Sequence, residues 1–157
     1  MSTIPATPPA RFFEDFTVGD TFYMPSRTVD DGHFAAQLVV SGDGNKTHYD
    51  REYCRARGFP DQLASGFQLV NLLSPGSGSF ALGLDQSLMF LLDMTVKFLK
   101  PVFRNDTVQP MLKVAALDPG RTTGVVVLAA SLVNQRGEPC LEATLRFLLR
   151  KRPPAGG

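Results

Sequence analysis

The chain has no tryptophan, only two cysteines and two histidines among its 157 residues, and almost no net charge, with 16 basic side chains against 15 acidic ones. Each scarcity excludes something. Cys54 and Cys140 stand far apart and form neither a C-x-x-C pair nor any metal-ligand spacing, so they read as reduced, packed thiols rather than a disulfide framework. Balanced, interspersed charge leaves no basic footprint for nucleic acid or for an anionic membrane surface. No segment approaches the ~20 unbroken apolar residues of a membrane span, and Met1–Ala10 lacks the basic start and apolar run of a signal peptide. These absences lead us to expect a soluble cytoplasmic protein with no nucleic-acid or membrane partner. His33 reads as a surface or packing histidine, and no metal site is expected.

What is present fits one domain of α+β class. Residues 1–10 and 152–157, rich in proline and glycine, are expected to be disordered ends flanking a folded unit at 11–151. Val18-Gly19-Asp20 marks a turn, and 21–28 then reads as a first strand. Asp30 or Asp31 is placed to cap a helix in which Phe34, Ala35, Leu38 and Val39 recur at helical spacing up to Ser41-Gly42. Asp50 can cap a second short helix over 51–57. The run 63–74 is apolar on most of its circumference and stops at Pro75-Gly76, the pattern of a buried helix. Beyond it the period changes to two. Met94, Val96 and Phe98 alternate with polar neighbours, and so do Leu141, Ala143, Leu145, Phe147 and Leu149. Segments 108–117 and 122–133, separated by Asp118-Pro119-Gly120 and Asn134-Gln135-Arg136-Gly137, complete an antiparallel meander expected to wrap the helix. The chain's phenylalanines, Phe67, Phe80, Phe90, Phe98, Phe103 and Phe147 among them, suit a large core.

The chemically informative stretch is Ser41-Gly42-Asp43-Gly44-Asn45-Lys46-Thr47-His48-Tyr49-Asp50. A carboxylate and an imidazole that converge on one point can hold and polarise a water molecule. Gly66, at the start of the apolar helix, offers a backbone N–H to a developing oxyanion, and its missing side chain allows close approach of a substrate.

Ser-Gly-Asp-x-Asn-x-x-His-x-Asp at 41–50, Leu63-Ala64-Ser65-Gly66, Val96-Lys97-Phe98-Leu99-Lys100-Pro101-Val102 with Asn105-Asp106-Thr107, and Asn134-Gln135-Arg136-Gly137 together resemble the MaoC-like dehydratase family, the (R)-specific enoyl-CoA hydratases of hot-dog fold. The resemblance runs from about Phe13 to Leu149. It implies a curved antiparallel sheet around one central helix, a homodimer, and reversible addition of water to a trans-2-enoyl-CoA thioester to give an (R)-3-hydroxyacyl-CoA. It implies no bound cofactor, coenzyme A being part of the substrate. Position by position, Asp43 and His48 match the catalytic pair, Asn45 the amide-bearing position, and Gly66 the glycine whose N–H receives the thioester oxygen. Lys46-Thr47 replaces the proline and aliphatic residue common in the family, and Ser65 stands where histidine is frequent. Ser65 is therefore weighed as a substrate contact against a plain helix cap, and Lys46 as a partner for the second carboxylate of a dicarboxylic acyl group such as mesaconyl or methylmalyl against a solvated turn residue. Arg150-Lys151-Arg152 is weighed as a coenzyme A phosphate contact against a solvated strand end. The rival readings are a hot-dog acyl-CoA thioesterase, which attacks the carbonyl carbon instead, and a non-catalytic acyl-CoA-binding or assembly subunit.

Overall fold

The computed structural model of the protein describes residues 7–154. Four helices precede four long strands in the chain. Helices α1 (Asp31–Ser41), α2 (Lys46–Tyr49), α3 (Arg51–Ala56) and α4 (Gly66–Asn71) are followed by β3 (Leu88–Phe98), β4 (Thr107–Pro119), β5 (Thr123–Asn134) and β6 (Pro139–Arg150); two short strands, β1 (Thr21–Phe22) and β2 (Arg27–Thr28), come first. All pairings are antiparallel, in the order β1-β4-β5-β6-β3, with β2 also paired to β4. The period-two pattern explains the layering. Val108, Leu112 and Val114 of β4, Val126, Leu128 and Leu132 of β5, and Leu141, Leu145 and Leu149 of β6 turn to one face and bury there with Leu69 and Leu73 from α4 and its C-terminal turn. Register shifts within β3, β4 and β6 accompany the curl of the sheet around the helix. Phe16, Phe22, Phe80 and Phe147 stack in sequence at centroid separations of 5.2–6.1 Å and seal one end of the core. Truncating the fully buried Phe80 to alanine would cost about 3–5 kcal/mol.

Several expectations need correction. The single strand expected over 21–28 is two short strands, because the backbone of Tyr23 bonds to Ser79 (Tyr23 N–H to Ser79 Oγ, 2.9 Å; Ser79 N–H to Tyr23 O, 2.9 Å) and Pro25 cannot donate to a ladder. The buried helix expected over 63–74 is helical only from Gly66 to Asn71. Leu63 instead forms a β-bridge with Phe103, and residues 72–74 close in tight turns. Nor is the helix apolar inward throughout: Phe67 is 76% exposed while Gln68 is only 4% exposed. Residues 1–6 and 155–157 of the expected disordered ends lie outside the described residues, and Arg152, the first residue of the expected tail, pairs with Asp15 at 2.6 Å.

The connection after β3 is tied down by charge. Asp106 accepts hydrogen bonds from Phe103 N–H (2.8 Å), Gln135 Nε2 (2.6 Å) and Arg136 Nη1 (3.2 Å). Glu138 receives Lys100 Nζ at 2.7 Å, Asn134 Nδ2 at 2.8 Å and Arg136 Nε at 2.9 Å, and these donors, that of Asn134 foremost, lower its carboxyl pKa to about 2. The braced segment in turn holds residues 62–64, through Arg104 N–H to Gln62 O and Ala64 N–H to Val102 O, both 2.9 Å.

Candidate functional site

Helix α1 begins on the Asp30 side chain, which accepts from His33 N–H, and ends at Gly42 with φ 65°. The left-handed conformation, which glycine tolerates without steric cost, stops the helix and turns the chain into the Asp43 loop. Asp43 Oδ1 accepts from Asn45 N–H at 3.0 Å, leaving Oδ2 directed at the next helix. Asn45 caps that helix, its side-chain oxygen accepting from Thr47 N–H (3.1 Å) and Thr47 Oγ1 (2.6 Å). The one-turn helix α2 lies within what the sequence suggested was only a glycine-marked turn; it carries His48.

The imidazole of His48 is held by backbone. Its Nδ1 lies 2.6 Å from the carbonyl oxygen of Leu63, while Leu63 N–H donates to Thr47 O at 2.9 Å. A carbonyl only accepts, so Nδ1 carries a proton, and in the neutral form of the ring the bare lone pair is at Nε2. That atom stands 3.8 Å from Asp43 Oδ2. The distance exceeds a direct hydrogen bond but allows one water to sit about 2.8 Å from each. The His48 side chain is 13% exposed and that of Asp43 43%, so the pair straddles the boundary between cavity and solvent.

His48 opens into a cavity of about 410 Å³ lined also by Leu63, Ala64, Gly66, Leu69, Phe98, Leu99, Lys100, Pro101 and Val102. Gly66 is the first residue of α4, and its N–H has no acceptor among the described residues. The helix dipole adds partial positive charge at the same point. Lys100 is neutralised by Glu138, so apart from His48 and backbone groups the lining is largely hydrocarbon.

The site residues suggested by the sequence therefore divide. Asp43 and His48 come together, and Gly66 shares the cavity with His48. Asn45 and Ser65 act locally as helix caps; Ser65 Oγ accepts from Gln68 N–H at 3.2 Å and the residue is buried. Lys46 does not line the cavity, its Nζ lying 5.8 Å from the Tyr53 ring centroid. Lys151 and Arg152 lie over the rings of Phe13 and Phe12. His33 bonds Asp30 through Nδ1 at 2.7 Å, a contact that holds the Asp30 carboxyl below its usual range. Phe98 was visible only as one core phenylalanine among many; nothing in its spacing placed its ring against Gly66, where a built Cβ would meet Cζ at 2.7 Å. Among the described residues no three histidine, cysteine or carboxylate side chains cluster as a metal site, and no helix is long and apolar enough to cross a membrane. A larger concavity of about 870 Å³, bordered by Tyr23, Met111, Ser131, Glu142 and Thr144, contains none of these groups.

A search of curated protein sequences found no match. Among solved structures, the chain is similar to a MaoC-like dehydratase from Rhodospirillum rubrum (25% identity, TM-score 0.77, covering 92% of this chain and 99% of that one). It is also similar to the unliganded R-hydratase of Pseudomonas aeruginosa (21%, TM-score 0.75, 90% and 86%). A third, a Mycobacterium tuberculosis protein with a double hot-dog fold, matches at 22% identity and TM-score 0.79, this chain spanning 94% of itself and 46% of that protein. The six-stranded antiparallel sheet curled on α4 is a hot-dog fold. The family model described as MaoC like domain matches residues 15–135, which takes in the Asp43 loop, α4 and most of the sheet, and the chain belongs to that family.

Proposed function

We propose that the protein adds water reversibly to the double bond of a trans-2-enoyl-CoA thioester, forming an (R)-3-hydroxyacyl-CoA. The observation that carries the reading is the pinned imidazole: with Nδ1–H committed to Leu63 O, the Nε2 lone pair faces Asp43 Oδ2 across 3.8 Å. Family membership and the resemblance to R-hydratases support it. A water held by Nε2 and Oδ2 keeps a lone pair for the substrate β-carbon. As its oxygen bonds there, its proton passes to Nε2 and the double-bond electrons move toward the thioester carbonyl, whose oxygen becomes an enolate oxygen. Gly66 N–H donates to that oxygen where charge develops, an interaction whose loss typically lowers kcat about 100–1,000-fold. The imidazolium then returns its proton to the α-carbon. Atoms balance with no cofactor other than the coenzyme A of the substrate.

The lining bears on the acyl group. A hydrocarbon wall offers no partner to a second carboxylate, and burying one there unpaired would be costly. The cavity therefore favours an uncharged acyl chain over a mesaconyl- or methylmalyl-type group.

We further propose a homodimer. Strand β3 is an edge of the sheet, and Met89, Phe90, Leu91, Leu92 and Met94 are exposed along it. An apolar edge with unpaired backbone groups is covered by pairing with a second copy.

Purified protein incubated with crotonyl-CoA and longer or dicarboxylic enoyl-CoA thioesters tests the reaction. Loss of the conjugated thioester absorbance without release of free thiol is the expected result. Thiol release would favour a thioesterase, and binding without turnover a non-catalytic subunit.

A further inference from the structure

Among the described residues only three buried side-chain polar atoms lack a hydrogen-bond partner: the Tyr49 hydroxyl and the two amide atoms of Gln68. Orphaned buried polar atoms are costly and uncommon, so their position calls for a reason. Tyr49 directly follows His48 in α2, and the two rings meet edge to face, with centroids 6.0 Å apart and planes at 81°. The carboxylate acting on the phenol is that of Asp43; burial and then this charge raise the Tyr49 pKa above its usual value. Ser41, also beside the phenol, already donates to Gln37 O at 2.7 Å and accepts from Asp43 N–H at 3.1 Å. Tyr49 thus touches one member of the pair with its ring and lies in the field of the other, while Ser41, whose approach works against the rise, makes no hydrogen bond of good geometry with the phenol.

We propose that Tyr49 is a positioning residue for the Asp43–His48 pair, its ring bracing the imidazole and its hydroxyl donating to the Asp43 carboxylate when substrate and water fill the site. The proposal rests on the hydratase reading and adds to it a third residue that touches no substrate atom. The donated hydrogen bond fixes the carboxylate oxygen that must face the water, at a point where the Asp43 loop is otherwise held only by Asn45 N–H and its own turn. Other charged groups on the surrounding elements are already engaged: Lys46 with the Tyr53 ring, Asp50 with Tyr53 N–H as the α3 cap, Arg51 with Asp61, and Lys100 with Glu138.

The test is Tyr49→Phe. If the hydroxyl is only a packing atom, deleting an unpartnered polar group leaves stability equal or improved and catalysis unchanged. If it positions Asp43, kcat on enoyl-CoA falls about tenfold or more with little change in KM. An unchanged kcat, or a loss carried by KM alone, overturns the proposal. A second arm needs no turnover: the protein has three tyrosines, whose ring carbons can be followed separately by NMR across alkaline pH. In Asp43→Asn the resonance that Tyr49→Phe abolishes must titrate at lower pH than in the parent protein; an unmoved midpoint also overturns the proposal. A parent protein inactive on every enoyl-CoA tried would sink the hydratase reading while leaving this second arm to decide the coupling.

Discussion

The ring of Phe98 lies over the α-carbon of Gly66, so that a Cβ added there would stand 2.7 Å from Cζ and 3.2 Å from both Cε atoms. Gly66 does not have positive φ, so it is space rather than backbone conformation that requires glycine at this helix start. Gly66→Ala must displace the ring into the cavity or tilt the helix terminus; the first fills space beside His48 and the second misaligns the N–H. The expected outcome is a loss in kcat/KM of about 100-fold, partly recovered in the Gly66→Ala, Phe98→Ala double variant. Equal activity of the two variants would show that the clash is not the cause.

Phe98→Ala alone widens the cavity beside His48. Phe98 is 56% exposed, so the stability cost falls well short of the full penalty for a buried phenylalanine. A shift of specificity toward longer or branched enoyl groups is expected, read as the ratio of kcat/KM for a medium-chain substrate to that for crotonyl-CoA. A ratio unchanged from the parent would mean that the ring does not bound the acyl site.

Removing the proposed proton acceptor or its carboxylate partner should be severe and local. His48→Ala and Asp43→Asn are each expected to lower kcat by about 100-fold or more, while the melting temperature stays near that of the parent protein. Each anchors few tertiary contacts beyond the Leu63 carbonyl bond and the Asn45 turn. Full activity in the double variant would end the assignment.

Glu138 gives a pH prediction with a definite sign. Its folded pKa of about 2 lies below the ordinary carboxyl value of 4.5, so its contribution to stability is complete above pH 4.5 and is lost as pH falls toward 2. The difference in melting temperature between the parent and Glu138→Gln should be constant near neutrality and shrink across that window. A difference that persists unchanged at pH 2 would contradict the assignment of the network to Glu138.

The edge of β3 supplies a test of assembly. If the proposed homodimer forms through this edge, Leu91→Arg, which places a charge in the exposed apolar row, should convert a particle of twice the 17.1 kDa chain mass into single chains by sedimentation. An unchanged dimer mass in the variant would rule this edge out as the contact.

The parts of the fold most legible in the sequence were those with an unbroken period. Leu141 to Leu149 alternates without interruption and is a buried strand; Asp30 and Gly42 bracket α1 because a capping carboxylate and a left-handed glycine have local causes. The pair Asp43 and His48 was legible because the two stand close together along the chain, one in the loop before α2 and the other within it. What failed to show was tertiary in origin. Tyr23 pairs with Ser79, far along the chain, and so breaks a strand that composition alone would continue. Phe67 and Gln68 exchange the burial expected from polarity, because α4 is less than two turns long and buries only Gln68 and Leu69. The role of Leu63 was invisible for another reason: its side-chain identity says nothing about where its carbonyl points.

That carbonyl has an evolutionary consequence. The group selecting the tautomer of His48 belongs to the main chain, so no exchange of one amino acid for another at position 63 deletes it. Side chains around the cavity can be exchanged while the ring keeps the same nitrogen bare. Under the proposed reaction, acyl preference and base would then be separable, one set by side chains and the other by the main chain.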